Sequence, residues 1–277
     1  MAPKTLNYYD TDLQRWVSPY VTQDEITQLN TNISNVSNEI NEHTQFDNTE
    51  AHTIDNIIGL RDAISNSAMS QTTATLTYYV DSVNGNDDND GLTSVTAFKT
   101  IQKSINELPK IINHRVSIQI AQGTYNESIT IEGFIGTEGI NINSNNSIIN
   151  VNGFLIRSCE CNITIASVTF SGTTSNKIDF RACKSILVNN CRDETNAAIF
   201  AIINNCDYAV FTNNFISNKT NTAISANNAS NVIVTNINGE NNTVAFTSSN
   251  LSRIFKNTGI NITATTLEVT SVGGQVL

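Results

Sequence analysis

The sequence predicts a mainly β protein: a right-handed parallel β-helix with 23-residue coils, preceded by a short N-terminal α-helical trimeric coiled coil. Two observations predict the β-helix. From Gly139 onward, apolar pairs recur once per coil at a constant step, as Ile140/Ile142, Ile163/Ile165, Ile186/Val188, Ala209/Phe211 and Val232/Val234. A second apolar column runs through Ile178, Ala201 and Ile224 at the same step and reaches Phe246 one residue early. Self-similarity at a fixed period of this size signals stacked repeats. The third observation predicts the coiled coil: Ile26, Leu29, Ile33, Val36 and Ile40 alternate spacings of three and four, a heptad seam.

Within each repeat the apolar residues stand at i and i+2, the period of a strand with one buried face, and the three-and-four spacing of a helix is absent. Stacking such units about 4.8 Å apart turns every position into a ladder along the axis. Parallel strands joined by crossovers predict a right-handed coil. The turns keep the register too, with Ser144, Ser167, Asn190, Asn213 and Asn236 after one strand and Asn204 and Asn227 after another. Asn tolerates the left-handed backbone of a tight corner, and stacked amides bond one another up the axis. These residues read as corners.

The N-terminal third is organised differently. Residues 1–22 hold Tyr8, Tyr9 and the single Trp, Trp16, in two short strands around a polar turn. Aromatic anchors in a segment without a core of its own suggest docking to another protein, or else a hairpin packed on the coiled coil. Residues 23–48 form the coiled coil, whose seam is narrow and whose other positions are Asn-rich, so that it needs partner chains to be stable; a single amphipathic helix lying on its own domain is the other reading. Ile at three of its five core positions favours a trimer. Residues 49–75 are a shaft and linker, Ser- and Thr-rich over 65–74, and residues 76–277 are the β-helix. Phe98, Ile101, Ile105 and Leu108 share one helical face, so a helix near 98–108 is expected to cover the open end of the first coil. The first strand of that coil is placed at Ile118 and Ile120, one residue short of a full period before Ile140 and Ile142.

The formal net charge of −10, with 15 Lys and Arg against 25 Asp and Glu, argues against nucleic-acid binding. No apolar run approaches the length of a membrane span and no N-terminal apolar leader is seen. Five cysteines lack the spacing of a zinc site, and all three histidines lie upstream of them. Cys183 and Cys206, one period apart, stack in one column; the odd count favours reduced thiols, with pairing of the two left open. Asn86, Asp88, Asp90 and Gly91 imitate the first half of a calcium loop, but Ala97 stands where the bidentate Glu belongs. A turn needing special backbone angles is the other reading of this run. No cofactor is expected.

A glycosidase needs two carboxylates about 5–9.5 Å apart. Glu194 and Glu240 share a column two coils apart, about 9.6 Å by strand spacing, and are the best such pair on one chain. Solvated corner carboxylates are common, so the protein reads more as a non-enzyme.

Two resemblances add to this. The stretch containing His52, Thr53, Ile54, Gly59, Leu60, Ala63 and Ile64 resembles a segment of bacteriophage tail fibres, where it belongs to a trimeric shaft. The run from Tyr78-Tyr-Val-Asp81 through Gly85, Asp90-Gly91 and Phe98-Lys-Thr-Ile-Gln102 resembles the entry segment of pectin-lyase-like right-handed β-helices. Together they imply a fibre of a phage virion, attached to tail, baseplate or head. The resemblance implies a homotrimer that contacts other virion proteins through its N-terminus and host cell-surface polysaccharide through its solenoid. The alternatives are a polysaccharide depolymerase tailspike and a purely structural head or baseplate fibre. The pectin-lyase-like fold occurs in enzymes and non-enzymes alike and selects none of these.

Overall fold

Strand-period repeats in the C-terminal two thirds and helix-period spacing near the N-terminus give two kinds of structure. The computed structural model describes residues 8–10, 15–17, 23–44, 70–144, 149–172 and 176–277. The chain divides into two units, Met1–Ala68 and Met69–Leu277. In the first unit β1 (Tyr8–Asp10) pairs antiparallel with β2 (Arg15–Val17), placing Tyr9 opposite Trp16. α1 spans Gln23–Thr44, about 33 Å at 1.5 Å per residue. Leu29, Ile33 and Val36 stand 58, 55 and 53% exposed on it. The segment from His52 to Ile64 lies outside the described residues.

The second unit is a parallel β-solenoid of about seven turns. Its first sheet runs in order along the axis through β3 (Leu76–Val80), β4 (Val116–Ile120), β6 (Gly139–Asn143), β8 (Asn162–Ala166), β11 (Ser185–Asn189), β14 (Tyr208–Thr212), β17 (Asn231–Thr235), β19 (Arg253–Lys256) and β21 (Gln275–Val276). The second sheet takes the rest. In outer coils this is one long strand, β5 (Gly123–Glu132), β7 (Ile149–Arg157), β18 (Asn238–Ser249) or β20 (Asn261–Ser271). In middle coils it breaks into a short and a longer strand: β9 (Thr169–Phe170) with β10 (Asn176–Arg181), β12 (Arg192–Asp193) with β13 (Ile199–Asn204), and β15 (Phe215–Ile216) with β16 (Thr222–Asn227).

The pairing follows the sequence period. Ile163 pairs with Ile186 and Ile165 with Val188; Ala209 then pairs with Val232 and Phe211 with Val234. The second column pairs Ile178 with Ala201, Ala201 with Ile224 and Ile224 with Phe246, so the coil does shorten by one residue there. Both columns are buried, with Phe154, Phe170, Phe200 and Phe211 edge to face at 6.2, 5.6 and 6.2 Å between successive ring centres.

Three expectations about the start of the solenoid are corrected. The first sheet starts at β3, not at Ile118, and Ile118 pairs with Ile142, so that coil is one residue longer than the period and not one shorter. It is lengthened by a bulge between Tyr125 and Ser128 and by a six-residue return turn (133–138) where the next coil uses four (158–161). The chain joins the solenoid before residue 75: Gln71 bridges Ile111, and buried Thr72 accepts hydrogen bonds from the N–H groups of Asn113 and His114 at 2.9 Å. The capping helix α2 is Ile101–Asn106, shorter than 98–108, because Phe98 is extended against Val80 and Thr100 is the N-cap. Phe98, Ile101, Ile105 and Leu108 are nevertheless all buried, as their spacing predicts.

At the corners, Ser167, Asn190, Asn213 and Asn236 have φ of 60, 52, 56 and 50°. Asn236 donates to the Asn213 amide oxygen at 3.0 Å and Asn213 to that of Asn189 at 3.1 Å, a partial amide ladder. Asn204 and Asn227 do not turn the chain. They end paired strands, and the left-handed residues are their successors Asn205 and Asn228, because the strand runs one residue further. All five cysteines are free and buried. Cys183 Sγ accepts from the N–H of Cys159 at 3.4 Å, and Ser230 Oγ does the same for Cys206 at 3.1 Å. A small acceptor in that column satisfies a buried N–H of the adjacent coil. Burial pushes the Cys191 thiol up to about 12, which keeps it protonated and unreactive.

Candidate functional site

Alternate residues of the first sheet leave the core, so its outer surface is written by a fixed set of columns. One reads Ser117, Asn141, Thr164 and Leu187, and its neighbour contains Gly139, Asn162 and Ser185. A Cβ on Gly139 would lie 2.4 Å from the Asn162 carbonyl oxygen, so only glycine lets the two coils approach here. Arg115, Glu138, Asn141, Asn162, Thr164 and Ser185 line a groove of about 320 Å³. The groove crosses four strands, about 14 Å. Its floor holds a buried acceptor without a hydrogen-bond partner, Asn141 Oδ1. A donor entering the groove can pair with it. Amides, hydroxyls, a guanidinium and a carboxylate converging beside an aliphatic side chain suit a polyhydroxylated ligand.

The predicted carboxylate pair lies on the other sheet. Asp193 pairs with Ile216 and Phe215 with Asn238, which puts Glu194, Ser217 and Glu240 in one column as the period requires. The Glu240 N–H donates to Ser217 Oγ at 2.9 Å. The Glu194 carboxylate accepts from Arg192 Nε at 2.7 Å, and that guanidinium lies 4.1 Å from the centre of the Phe215 ring. Glu194 is therefore engaged in an exposed ion pair two coils from Glu240, near the outer limit for an inverting pair.

The acidic loop is tied to its own backbone. Asp90 Oδ1 accepts from the Leu92 N–H at 3.0 Å and the Thr96 hydroxyl at 2.7 Å, while the Asp88 N–H is bound by Asn86. Asp87, which no motif singles out, accepts from the N–H groups of Lys99 and Thr100 and from the Thr100 hydroxyl at 2.8–2.9 Å. Among the described residues no three His, Cys, Asp or Glu side chains converge as a ligand set.

Sequence reasoning also missed a buried charge cluster. Lys219 Nζ lies 2.8 Å from Asp193 Oδ2, both side chains fully buried. Thr195 donates its N–H and hydroxyl to Asp193 Oδ1 at 2.9 and 2.7 Å. Lys177, also buried, donates to the carbonyls of Ser171 and Gly172 at 2.8 and 3.1 Å. Burial lowers the pKa of both lysines, opposed by attraction to Asp193. Asp193 interrupts an otherwise apolar column, and single charged letters in a polar sequence give no periodic signal of burial. The cluster carries no groove and is structural.

In the first unit, the exposed side chains of Leu29, Ile33 and Val36 form one stripe on α1; Ile26 and Ile40 continue the series in sequence. Tyr8, Tyr9 and Trp16 lie on β1 and β2. No protein-family model and no curated protein matches the chain.

Proposed function

We propose that the chain is a structural fibre protein of a bacteriophage virion, a homotrimer whose right-handed, pectin-lyase-like solenoids contact host cell-wall glycans. The observation that carries this is the stripe of Leu29, Ile33 and Val36, more than half exposed on a single chain. A 22-residue helix with so narrow an apolar face is marginal alone and is stabilised by wrapping with copies of itself. The shaft-like segment from His52 to Ile64 and the order of modules support a fibre, with Tyr8, Tyr9 and Trp16 docking it to another virion protein. The groove beside Asn141 supports the glycan contact. Three weak sites on one trimer bind a repetitive polymer far more tightly than one does.

The full chain is expected to sediment as a trimer and to bind purified cell-wall polysaccharide saturably, with Asn141→Ala and Asn162→Ala weakening retention. A monomer overturns the fibre reading. A trimer that binds no wall polymer reduces the role to a structural head or baseplate fibre. Release of reducing or unsaturated sugar ends, abolished by Glu194→Gln or Glu240→Gln, identifies a depolymerase instead.

A further inference from the structure

The outer surface of the first sheet changes character along the solenoid. The column that begins with Ser117, Asn141 and Thr164 continues as Leu187, Val210, Ile233, Phe255 and Leu277, one residue per coil. Outward positions of a sheet with one solvated face are ordinarily polar. The neighbouring outward column of the same coils obeys that rule with Asn189, Thr212 and Thr235. The apolar residues are thus confined to one straight ladder, five rungs and about 19 Å long. Phe255 and Leu277 are 39 and 54% exposed, and Leu251 and Val272 at the adjoining corner are 70 and 74% exposed.

The size of the ladder limits what can cover it. A strip about 19 Å by about 7 Å presents on the order of 130 Å², far below the roughly 800 Å² per partner of a stable association. A freely diffusing protein would not stay on it. A glycan would find almost no hydrogen-bonding group there to orient it. A chain already tethered nearby faces a different balance, because tethering raises its effective concentration to about the millimolar range. Another copy of this chain also carries the same ladder at the same rise, so rotational symmetry sets coil against coil along the full length.

We propose that the ladder Leu187, Val210, Ile233, Phe255 and Leu277 packs against another copy of this chain, as a second seam separate from α1. This rests on reading α1 as the first seam. The test uses the full chain carrying Ile233→Cys, with Thr212→Cys on the neighbouring outward column as control, each alone or combined with Leu29→Asn, Ile33→Asn and Val36→Asn. Sedimentation reports the assembly and maleimide labelling the coverage, the five native thiols being buried.

In the trimer, Cys at 233 is expected to label about tenfold more slowly than Cys at 212, the protection that closure of a contact gives. The α1 substitutions are expected to release the copies and equalise the two rates. A trimer that labels both positions equally overturns the second seam and leaves the first intact. A full chain that sediments as a monomer overturns both. Protection at 233 that appears in the α1-substituted monomer only on adding wall polysaccharide assigns the ladder to glycan and overturns the proposal.

Discussion

The two ends of the solenoid solve the same problem in opposite ways. Each end exposes the last layer of a core and the last row of unpaired strand groups. At the N-terminal end the chain covers both with its own residues. α2 lies across the first coil with Ile101 and Ile105 buried, and Phe98 meets Tyr78 edge to face at 5.2 Å. The helix start is satisfied from three directions: Glu127 on β5 accepts from the N–H groups of Ile101 and Gln102, Thr100 from that of Lys103, and Asp87 from those of Lys99 and Thr100.

At the C-terminal end nothing among the described residues lies over the last coil. Two inward columns instead turn polar: Val234 is followed by Lys256, Phe246 by Glu268, and these two form an ion pair. Outside that pair, Leu267 and Val269 on β20 are 57 and 40% exposed. Among the described residues, hydrogen-bonded cover is concentrated at the N-terminal end and exposed apolar surface at the C-terminal one.

The largest effects are expected at the N-terminal cap. Phe98→Ala empties a fully buried site and is expected to cost about 3–5 kcal/mol, read as a lowered denaturant midpoint. Gly91 stands at φ 69° with the Phe98 ring 2.1 Å from where its Cβ would be, so Gly91→Ala adds backbone strain to a steric clash. A loss below about 0.5 kcal/mol in both variants, the size of an ordinary surface change, would mean that this end is not closed as described. Next in size is Glu127→Ala, which strips acceptors from two N–H groups at the helix start. A loss of about 1–3 kcal/mol is expected, with faster amide exchange at Ile101 and Gln102.

These two ends also divide what was legible in the sequence from what was not. The inward columns, the shortened step to Phe246, the left-handed corners at Asn190, Asn213 and Asn236 and the buried face of α2 all follow from spacing, because each is a repetition or a periodicity. Glu127 was invisible because its partners are backbone groups about one coil away and no motif joins a strand carboxylate to a helix start. Lys177, Asp193 and Lys219 were hidden by the expectation that charges stay in water. The apolar ladder and the groove were present in the letters. Leu187, Val210 and Ile233 each sit between the two inward residues that set the period, and attention to the buried parity passes over the outer one. The partial calcium pattern around Asp88 and Asp90 is ambiguous for a related reason: Asp, Asn and Gly serve turns and ligand loops alike.

At the C-terminal end the expected effect is small. Lys256 and Glu268 are 31 and 36% exposed, and pairs of this kind are worth about 0.2–1 kcal/mol. Lys256→Ala and Glu268→Ala are each expected to shift the denaturant midpoint little and to increase association, because the polar cover over the last apolar layer is removed. If either variant unfolded as readily as Phe98→Ala, the ion pair would be a true cap and the contrast between the ends would vanish.

The smallest effect is local and depends on pH. Asp90 sits in the loop that supports Phe98, and hydrogen bonds from the Thr96 hydroxyl and the Leu92 N–H hold its carboxyl below the usual aspartate range. An unfolded aspartate titrates near pH 3.9. Since the folded value is lower, the stabilisation is fully present above that pH and is lost as the pH falls through the depressed folded value. Acid is therefore expected to loosen the N-terminal loop, seen as faster exchange at the Leu92 and Thr96 amides, corrected for intrinsic rates, than at Gly273 and Gly274 beyond β20. Asp90→Asn keeps an acceptor but cannot titrate, and it is expected to flatten the acid dependence. If the two ends instead loosened together, the transition would be unfolding of the whole solenoid, and the loop would hold no stability of its own.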